Sequence, residues 1–173
     1  MNVDLSKLKI GHVEGVPSGP ADQEILALLE ELGANIVPVS LPDEFPEWAM
    51  SLMLDAEAAT IFHDLVATKN TDGLNRWPEI FRKMHFMTAV DYLHAARLRT
   101  GLMQKMADVF RSVDVYIGGG DLGICNLTGH PTVVIPTVMV GDGRTRQPAC
   151  GTLTGRLHDE ATLLAVARVV ESH

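Results

Sequence analysis

The sequence has few of the local patterns that mark common catalytic and nucleotide sites. It contains six serines, and none of them lies in a G-x-S-x-G turn that would expose a nucleophile. Gly11, Gly15 and Gly19 are spaced by four, so neither a dinucleotide fingerprint nor a P-loop is present. The seven histidines include no H-E-x-x-H and no pair with a matching third zinc ligand.

The sequence also lacks long apolar runs and an excess of basic charge. No uninterrupted apolar stretch approaches the roughly 18 residues of a membrane span, and the N-terminus has no secretion signal. With 22 acidic against 14 basic residues, the net charge is −8, which disfavours a nucleic-acid duplex as partner. We therefore expect a cytoplasmic protein with neither a membrane nor a nucleic acid as partner.

Cysteine is scarce as well. Cys125 and Cys150 form no C-x-x-C motif, and a disulfide between them is one possibility. Free, buried thiols are the commoner outcome for such a pair in a cytoplasmic protein, and the sequence favours that reading.

What is present indicates a globular protein. The chain has 173 residues, of which 46% are apolar and 21% charged, a balance typical of a folded domain with one core. We predict a single domain over residues 1–173, with no internal repeat and no linker.

Apolar periodicity predicts alternating strands and helices. A strand at KIGHV, a helix over 21–32 and a strand from Asn35 form a βαβ unit, which favours parallel pairing. Helices follow from about Glu47, Pro78 and Thr88, and then come strands at VDVYI, TVVIP and CGTLTG and a last helix from Asp159. This order predicts an α/β architecture of layered helices on a sheet.

The longest predicted helix starts at Thr88, which forms a capping box with Asp91, and runs for about six turns. One of its faces carries residues at spacings of four and three, and we predict that this face packs in the core, with Met103 and Met106 filling gaps. The members of the predicted face are Ala89, Leu93, Ala96, Thr100, Met103, Ala107 and Phe110.

Two polar segments flank the later strands. Gly118 to Asp121 follows a strand and could offer backbone N–H groups to an anion, although a plain glycine-rich turn is the commoner reading. Asn126, Thr128 and His130 precede the TVVIP strand and could face a pocket at a strand end. Equally, Asn126 and Thr128 could satisfy backbone groups of the loop.

A third group lies on the long helix, where Arg97 and Arg99 are near Tyr92 and Asp91. A buried arginine could bind a carboxylate with two hydrogen bonds, whereas an arginine on a helix flank is usually solvated or ion-paired.

The segment NLTGHPTVVIP, from Asn126 to Pro136, resembles the C-terminal core of the amidase signature family, with Asn126, Gly129 and Pro131 matching its N-x-x-G-x-P. The segment from Pro148 to Arg156 and the DEATLLAVARVVE helix are similar to the closing strand and helix of that family. Upstream, LDAEAATIFHDL, YLHAARLRTGLMQKM, SVDVYI and the opening βαβ resemble the family's preceding elements in order. The sequence departs at Gly118-Gly119, where many relatives have Thr-Pro.

The resemblance implies the C-terminal part of an amide hydrolase fold, with a mixed, largely parallel sheet. The family's Ser, cis-Ser, Lys triad lies in an N-terminal portion that this chain does not match, so the resemblance implies no catalytic residue here. Asp121, Asn126, Thr128 and His130 are the predicted substrate-binding residues, and no metal or cofactor is implied.

The implied function is to complete the sheet and the pocket of an amidase that releases a carboxylate and ammonia or an amine, without activity alone. The implied partners are the missing N-terminal region or the chain's own full-length form, a homodimer, and a small-molecule amide. One alternative is a stand-alone, non-catalytic binding or interaction module of the same fold. A Rossmann-like cofactor binder rests only on the βαβ opening and lacks its phosphate-binding glycines.

Overall fold

The computed structural model describes residues 3–15, 19–68, 73–119 and 122–173. The chain divides into two compact units, one comprising Met1–Pro42 with Gln104–His173 and the other Asp43–Met103. The single domain over 1–173 stays a prediction.

A five-stranded sheet forms the centre of the first unit. Its strands are β1 (Lys9–Val13), β2 (Asn35–Val39), β3 (Val115–Ile117), β4 (Thr132–Val140) and β5 (Gln147–Gly155). The order across the sheet is β2-β1-β3-β5-β4, with β1 parallel to both neighbours and β5 antiparallel to both of its own. Four of the five strands thus run in one direction, which confirms the predicted mixed, largely parallel sheet.

The described helices surround this sheet or make up the second unit. They are α1 (Pro20–Glu31), α2 (Glu47–Met50), α3 (Leu52–Ile61), α4 (His63–Ala67), α5 (Trp77–Met84), α6 (Ala89–Val109), α7 (Gly123–Thr128) and α8 (Glu160–Glu171). None of them combines the length and the apolar character that crossing a membrane requires.

Helices α1 and α8 cover one face of the sheet. Pro20 at the first position and Gly33, which has a φ of 80°, delimit α1 as predicted. Ile25 of α1 and Val166 of α8 are fully buried in a cluster with Ile10, Ile117 and Leu153 of the strands. This cluster is the main core of the first unit.

Helix α7 lies on the opposite face, where the sequence predicts only a polar segment. The Sγ of Cys125 in α7 lies 3.3 Å from the hydroxyl of buried Tyr116 in β3. Gly129, with a φ of 81°, ends the helix, and its N–H donates to the Cys125 carbonyl. Neither cysteine forms a disulfide; Cys125 is buried as predicted, whereas Cys150 is exposed.

In the second unit, α3, α4 and α5 pack around a small core. Its buried members are Ala59, Val66 and Phe81. The capping box at the start of α6 is confirmed, because Thr88 Oγ1 donates to Asp91 Oδ2 at 2.6 Å and Asp91 N–H donates back to Thr88 Oγ1.

The predicted core face of α6 is wrong over most of its length. Leu93 is 59% exposed and Met103 is 36% exposed, whereas Ala95 and Leu102, which are not in the predicted face, are buried. Met106 and Phe110 are buried as predicted. The physical reason is that an alanine- and methionine-rich helix carries apolar residues on several faces, so spacing alone does not select the face that is covered.

Candidate functional site

The sheet topology creates a crevice at the carboxyl ends of β1 and β3. These strands are parallel neighbours, but the chain leaves β1 toward β2 on the other side. In open α/β sheets such a change of direction opens a crevice in which ligands bind. The described residues nearest to it come from the start of α1, the end of β3 and the middle of β5.

Asp22 is the buried carboxylate of this crevice. It lies in the first turn of α1 and is 8% exposed. Its Oδ1 accepts a hydrogen bond of 3.0 Å from the N–H of Thr152. Because a carboxylate near a helix N-terminus is favoured by the helix dipole, this position holds the charge in place. Its second oxygen, Oδ2, faces Gly118, where an added Cβ would lie 3.8 Å away.

Gly118 and Gly119 directly follow β3 at the crevice. Their φ angles of 89° and 94° lie in the left-handed region that favours glycine. Gly118 N–H donates to the Thr152 carbonyl at 3.1 Å, and Thr152 Oγ1 donates to the Gly118 carbonyl at 3.3 Å. These φ angles explain why both positions are glycine. Gly120 and Asp121 lie outside the described residues, so the glycine-rich turn over 118–121 stays a prediction.

Three of the four predicted substrate-binding residues lie within the described part of the chain. Asp121 lies outside the described residues. Asn126 is exposed on α7, and its N–H donates to the Leu122 carbonyl at 2.8 Å. Thr128 and His130 lie together just before the start of β4, with Thr128 Oγ1 2.7 Å from His130 Nδ1. The carbonyl of the adjacent Pro131 accepts a hydrogen bond from the N–H of Gly155. Their role in binding a substrate stays a prediction.

Thr128 and His130 form a buried hydrogen-bonded pair. Thr128 Oγ1 donates to the Ile124 carbonyl at 2.7 Å, and His130 Nδ1 lies 2.7 Å from the same oxygen. A hydroxyl has one hydrogen, so His130 Nδ1 must be the donor to Thr128, which leaves Nε2 unprotonated in the neutral ring. The ring stacks on Phe110 with centroids 4.7 Å apart. Burial lowers the pKa of His130, so the neutral form is favoured.

A chain of buried hydroxyl and thiol groups continues across the sheet from α7. Cys125 Sγ lies 3.6 Å from Thr154 Oγ1, which lies 3.0 Å from Thr132 Oγ1. Thr154 is 1% exposed, and these contacts satisfy polar atoms that would be costly to bury alone. The network fixes α7 and β4 on β5.

Of the arginine pair of α6, Arg99 lies close enough to its predicted neighbour Tyr92 for its positive charge to act on that residue. Tyr92 donates its hydroxyl to Glu57 Oε1 at 3.0 Å, and this hydrogen bond raises the pKa of Tyr92. Asp91 is engaged in the capping box with Thr88. Arg97 is exposed, as is usual for an arginine on a helix flank.

Sequence reasoning missed Asp22 and Thr152 as members of the crevice. Asp22 had one available signal, because it opens a helix directly after a strand and a glycine-containing turn. Thr152 had none, since its contact with Asp22 spans 130 positions. Chemically, the described crevice offers a carboxylate oxygen and backbone groups as hydrogen-bond partners. None of its described residues is a serine or lysine that could act as a nucleophile or base.

Within 3–15, 19–68, 73–119 and 122–173, no three His, Cys, Asp or Glu side chains lie together as metal ligands would.

Solved structures that are similar to this chain include amidases. A structure described as an amidase matches 99% of this chain with a TM-score of 0.77 and 19% identity. A bacterial aryl acylamidase of the amidase signature family matches 95% with a TM-score of 0.69 and 16% identity. A chain from a vestigial complex related to an s-triazine catabolic enzyme matches 97% with a TM-score of 0.76 and 20% identity.

This chain has an amidase fold.

The match covers only part of each of these amidase-fold proteins. This chain spans 47% of the amidase, 44% of the aryl acylamidase and 43% of the chain from the vestigial complex. A segment of 49 residues is 49% identical to the Mycobacterium tuberculosis protein named "Putative amidase AmiB2". The segment makes up 28% of this chain and 10% of that protein. No family model matches the sequence. The predicted resemblance to amidase signature enzymes is confirmed at the level of the fold.

Proposed function

We propose that this chain is the C-terminal portion of an amide hydrolase of the amidase signature type. In this proposal it completes the sheet and contributes to the pocket for a small-molecule amide, and it has no turnover alone. The complete enzyme would hydrolyse a carbon–nitrogen bond and release a carboxylate and ammonia or an amine.

The observation that carries the proposal is the unequal coverage of the amidase folds. The amidase structure matches 99% of this chain, yet this chain spans only 47% of that structure. The resemblance puts the serine nucleophile, the bridging serine and the lysine in the unmatched N-terminal portion. The absence of a serine–lysine pair from the described crevice agrees with that division of labour.

An open apolar surface further supports a missing partner region. Among the described residues, eleven of the seventeen exposed large apolar side chains belong to the unit Asp43–Met103. Trp48, Ile61 and Phe86 are 79%, 77% and 85% exposed. Exposed apolar surface of this extent is typical of an interaction face. We propose that the N-terminal portion of the amidase covers the part of this surface that carries Trp48, Ile61 and Phe86.

Within the proposed pocket, the crevice residues and the predicted residues have different tasks. Asp22 Oδ2 is placed to accept a hydrogen bond from an amide N–H beside Gly118. Thr128 and His130, being buried against each other, would hold the start of β4 in position. Asn126 is exposed, and in this proposal it would contact the ligand.

Measuring ammonia release from aliphatic and aryl amides tests the proposal. The purified chain should release none, and mixing or co-expressing it with the N-terminal portion of an amidase of this fold should generate activity. The N-terminal portion alone is the control. Sustained turnover by the purified chain that survives substitution of each of its six serines would contradict the proposal.

A further inference from the structure

The unit Asp43–Met103 contains an apolar cavity of about 570 Å³ between α3, α4 and α5. A cavity of this size accommodates one small organic molecule. Its lining comprises Leu54, Asp55, Ala58, Phe62, Leu65, Gly73, Leu74, Asn75, Trp77, Pro78 and Phe81. None of these residues belongs to the crevice, whose described members all lie in the other unit.

Three aromatic rings form a nearly continuous stack along the cavity. Phe62 and Phe81 are almost parallel, with an interplanar angle of 9° and centroids 5.4 Å apart. Trp77 stacks on Phe81 at 5.8 Å. Phe62 and Trp77 nevertheless remain 45% and 43% exposed, so the stack has open surface that a flat apolar molecule would bury.

Two polar side chains, Asn75 and Asp55, lie in the otherwise largely apolar lining of the cavity. Asn75 Oδ1 accepts the N–H of Trp77 at 3.0 Å, which fixes the start of α5 and with it the indole ring. Asp55 lines the cavity as a half-buried carboxylate among apolar neighbours. In such surroundings a carboxylate favours a positively charged hydrogen-bond donor and disfavours an anion.

We propose that this cavity binds a small aromatic ammonium compound, with its ring against the stack of Phe62, Phe81 and Trp77 and its nitrogen at Asp55. Binding is a property of this chain by itself and involves no covalent step. The binding test therefore has an outcome that does not depend on whether the complete protein hydrolyses amides.

The two tryptophans of the chain allow a direct measurement. Trp48 is 79% exposed and does not line the cavity, so a Trp48→Phe variant leaves Trp77 as the sole fluorescent tryptophan. We would titrate this variant with 4-tert-butylbenzylamine, 4-tert-butylbenzyl alcohol and 4-tert-butylbenzoate, and repeat each titration by calorimetry on the unmodified chain. We expect a saturable change for the amine, with about tenfold weaker binding of the alcohol and weaker binding still of the benzoate.

Matched variants separate the two contacts. Asp55→Asn should bring the amine to the affinity of the alcohol, whereas Asp64→Asn, at an exposed aspartate of α4, should not change the ratio. Trp77→Ala should weaken the amine at least tenfold in calorimetry, and Trp77→Phe should retain most of the binding. Circular dichroism melts establish that each variant is folded.

Absence of saturation by all three compounds would overturn the proposal. An amine-to-alcohol ratio unchanged in Asp55→Asn, or lowered equally in Asp64→Asn, would overturn the assignment of the nitrogen to Asp55. Equal loss in Trp77→Phe and Trp77→Ala would overturn the stacking contact.

Discussion

At the scale of single residues, His130 couples folding to pH. Its ring is 7% exposed, and burial lowers its pKa below the ordinary value of 6.5. Below about pH 6.5, His130 therefore binds a proton more readily in the unfolded chain than in the folded chain. The stabilisation is complete above pH 6.5, and it is lost progressively as the pH falls from there toward the lowered pKa.

The first prediction rests on this linkage. The free energy of unfolding, measured with urea, should change little above pH 6.5 and should fall as the pH is lowered from about 6.5 to about 5.5. Replacing the ring in His130→Asn should flatten this dependence, although it also lowers stability at neutral pH through the lost stack on Phe110. His158→Asn, at an exposed position, is the control and should keep the slope. Equal slopes in the His130 variant and the unmodified chain would refute the assignment.

Gly151 gives a second prediction for a single position. A Cβ added there would lie 2.5 Å from Ile25 Cδ1 and 3.0 Å from Asp22 Oδ1. Gly151→Ala should therefore lower the free energy of unfolding by about 1–3 kcal/mol, as overpacking commonly does. Adding Ile25→Val, which removes Cδ1, should recover part of the loss in a double-mutant cycle. Cys150→Ala, at the exposed neighbouring position, is the control and should leave the free energy of unfolding almost unchanged. If the effects of Gly151→Ala and Ile25→Val simply add, the contact between the new Cβ and Ile25 Cδ1 is contradicted.

At the scale of elements, the sequence predicts best where one signal dominates. The first strand and α1 have strong periodicity, a proline at the start and a glycine at the end, and the structure agrees with them closely. Helix α7 has six residues, too few for a repeat to stand out, and depends on Tyr116 and Thr154, which are distant along the chain. The same distinction applies to the crevice, because the contact of Asp22 with Thr152 arises only when β5 is in place.

The start of α6 provides the prediction at this scale. Thr88 and Asp91 exchange hydrogen bonds there, and these bonds lower the pKa of Asp91. Thr88→Ala should lower the free energy of unfolding by about 1 kcal/mol, the usual cost of losing an N-cap. Thr88→Ser keeps the hydroxyl and should retain most of the stability in the same urea titration. If the serine variant loses as much as the alanine variant, the hydroxyl does not cap the helix.

At the scale of the whole molecule, the open face of α6 has a meaning that its sequence alone does not give. The stripe with Leu93 and Met103 has the spacing of a core face but is exposed in the chain as it stands. Amidase folds extend well beyond the length matched here. The proposed N-terminal portion would cover this face of α6. It would therefore explain why an exposed face has the residue spacing of a buried one.

This explanation predicts how the purified chain behaves in solution. Exposed apolar side chains favour association, so light scattering should give a mass that rises with protein concentration. Leu93→Asp should shift the chain toward a monomer and weaken its complementation by the N-terminal amidase portion. Leu164→Asp, on α8 at 57% exposure against 59% for Leu93, introduces the same charge at a matched site and should change neither property. If the chain is a monomer at every concentration, the stand-alone module is favoured instead, because such a module needs a surface that does not associate without a partner.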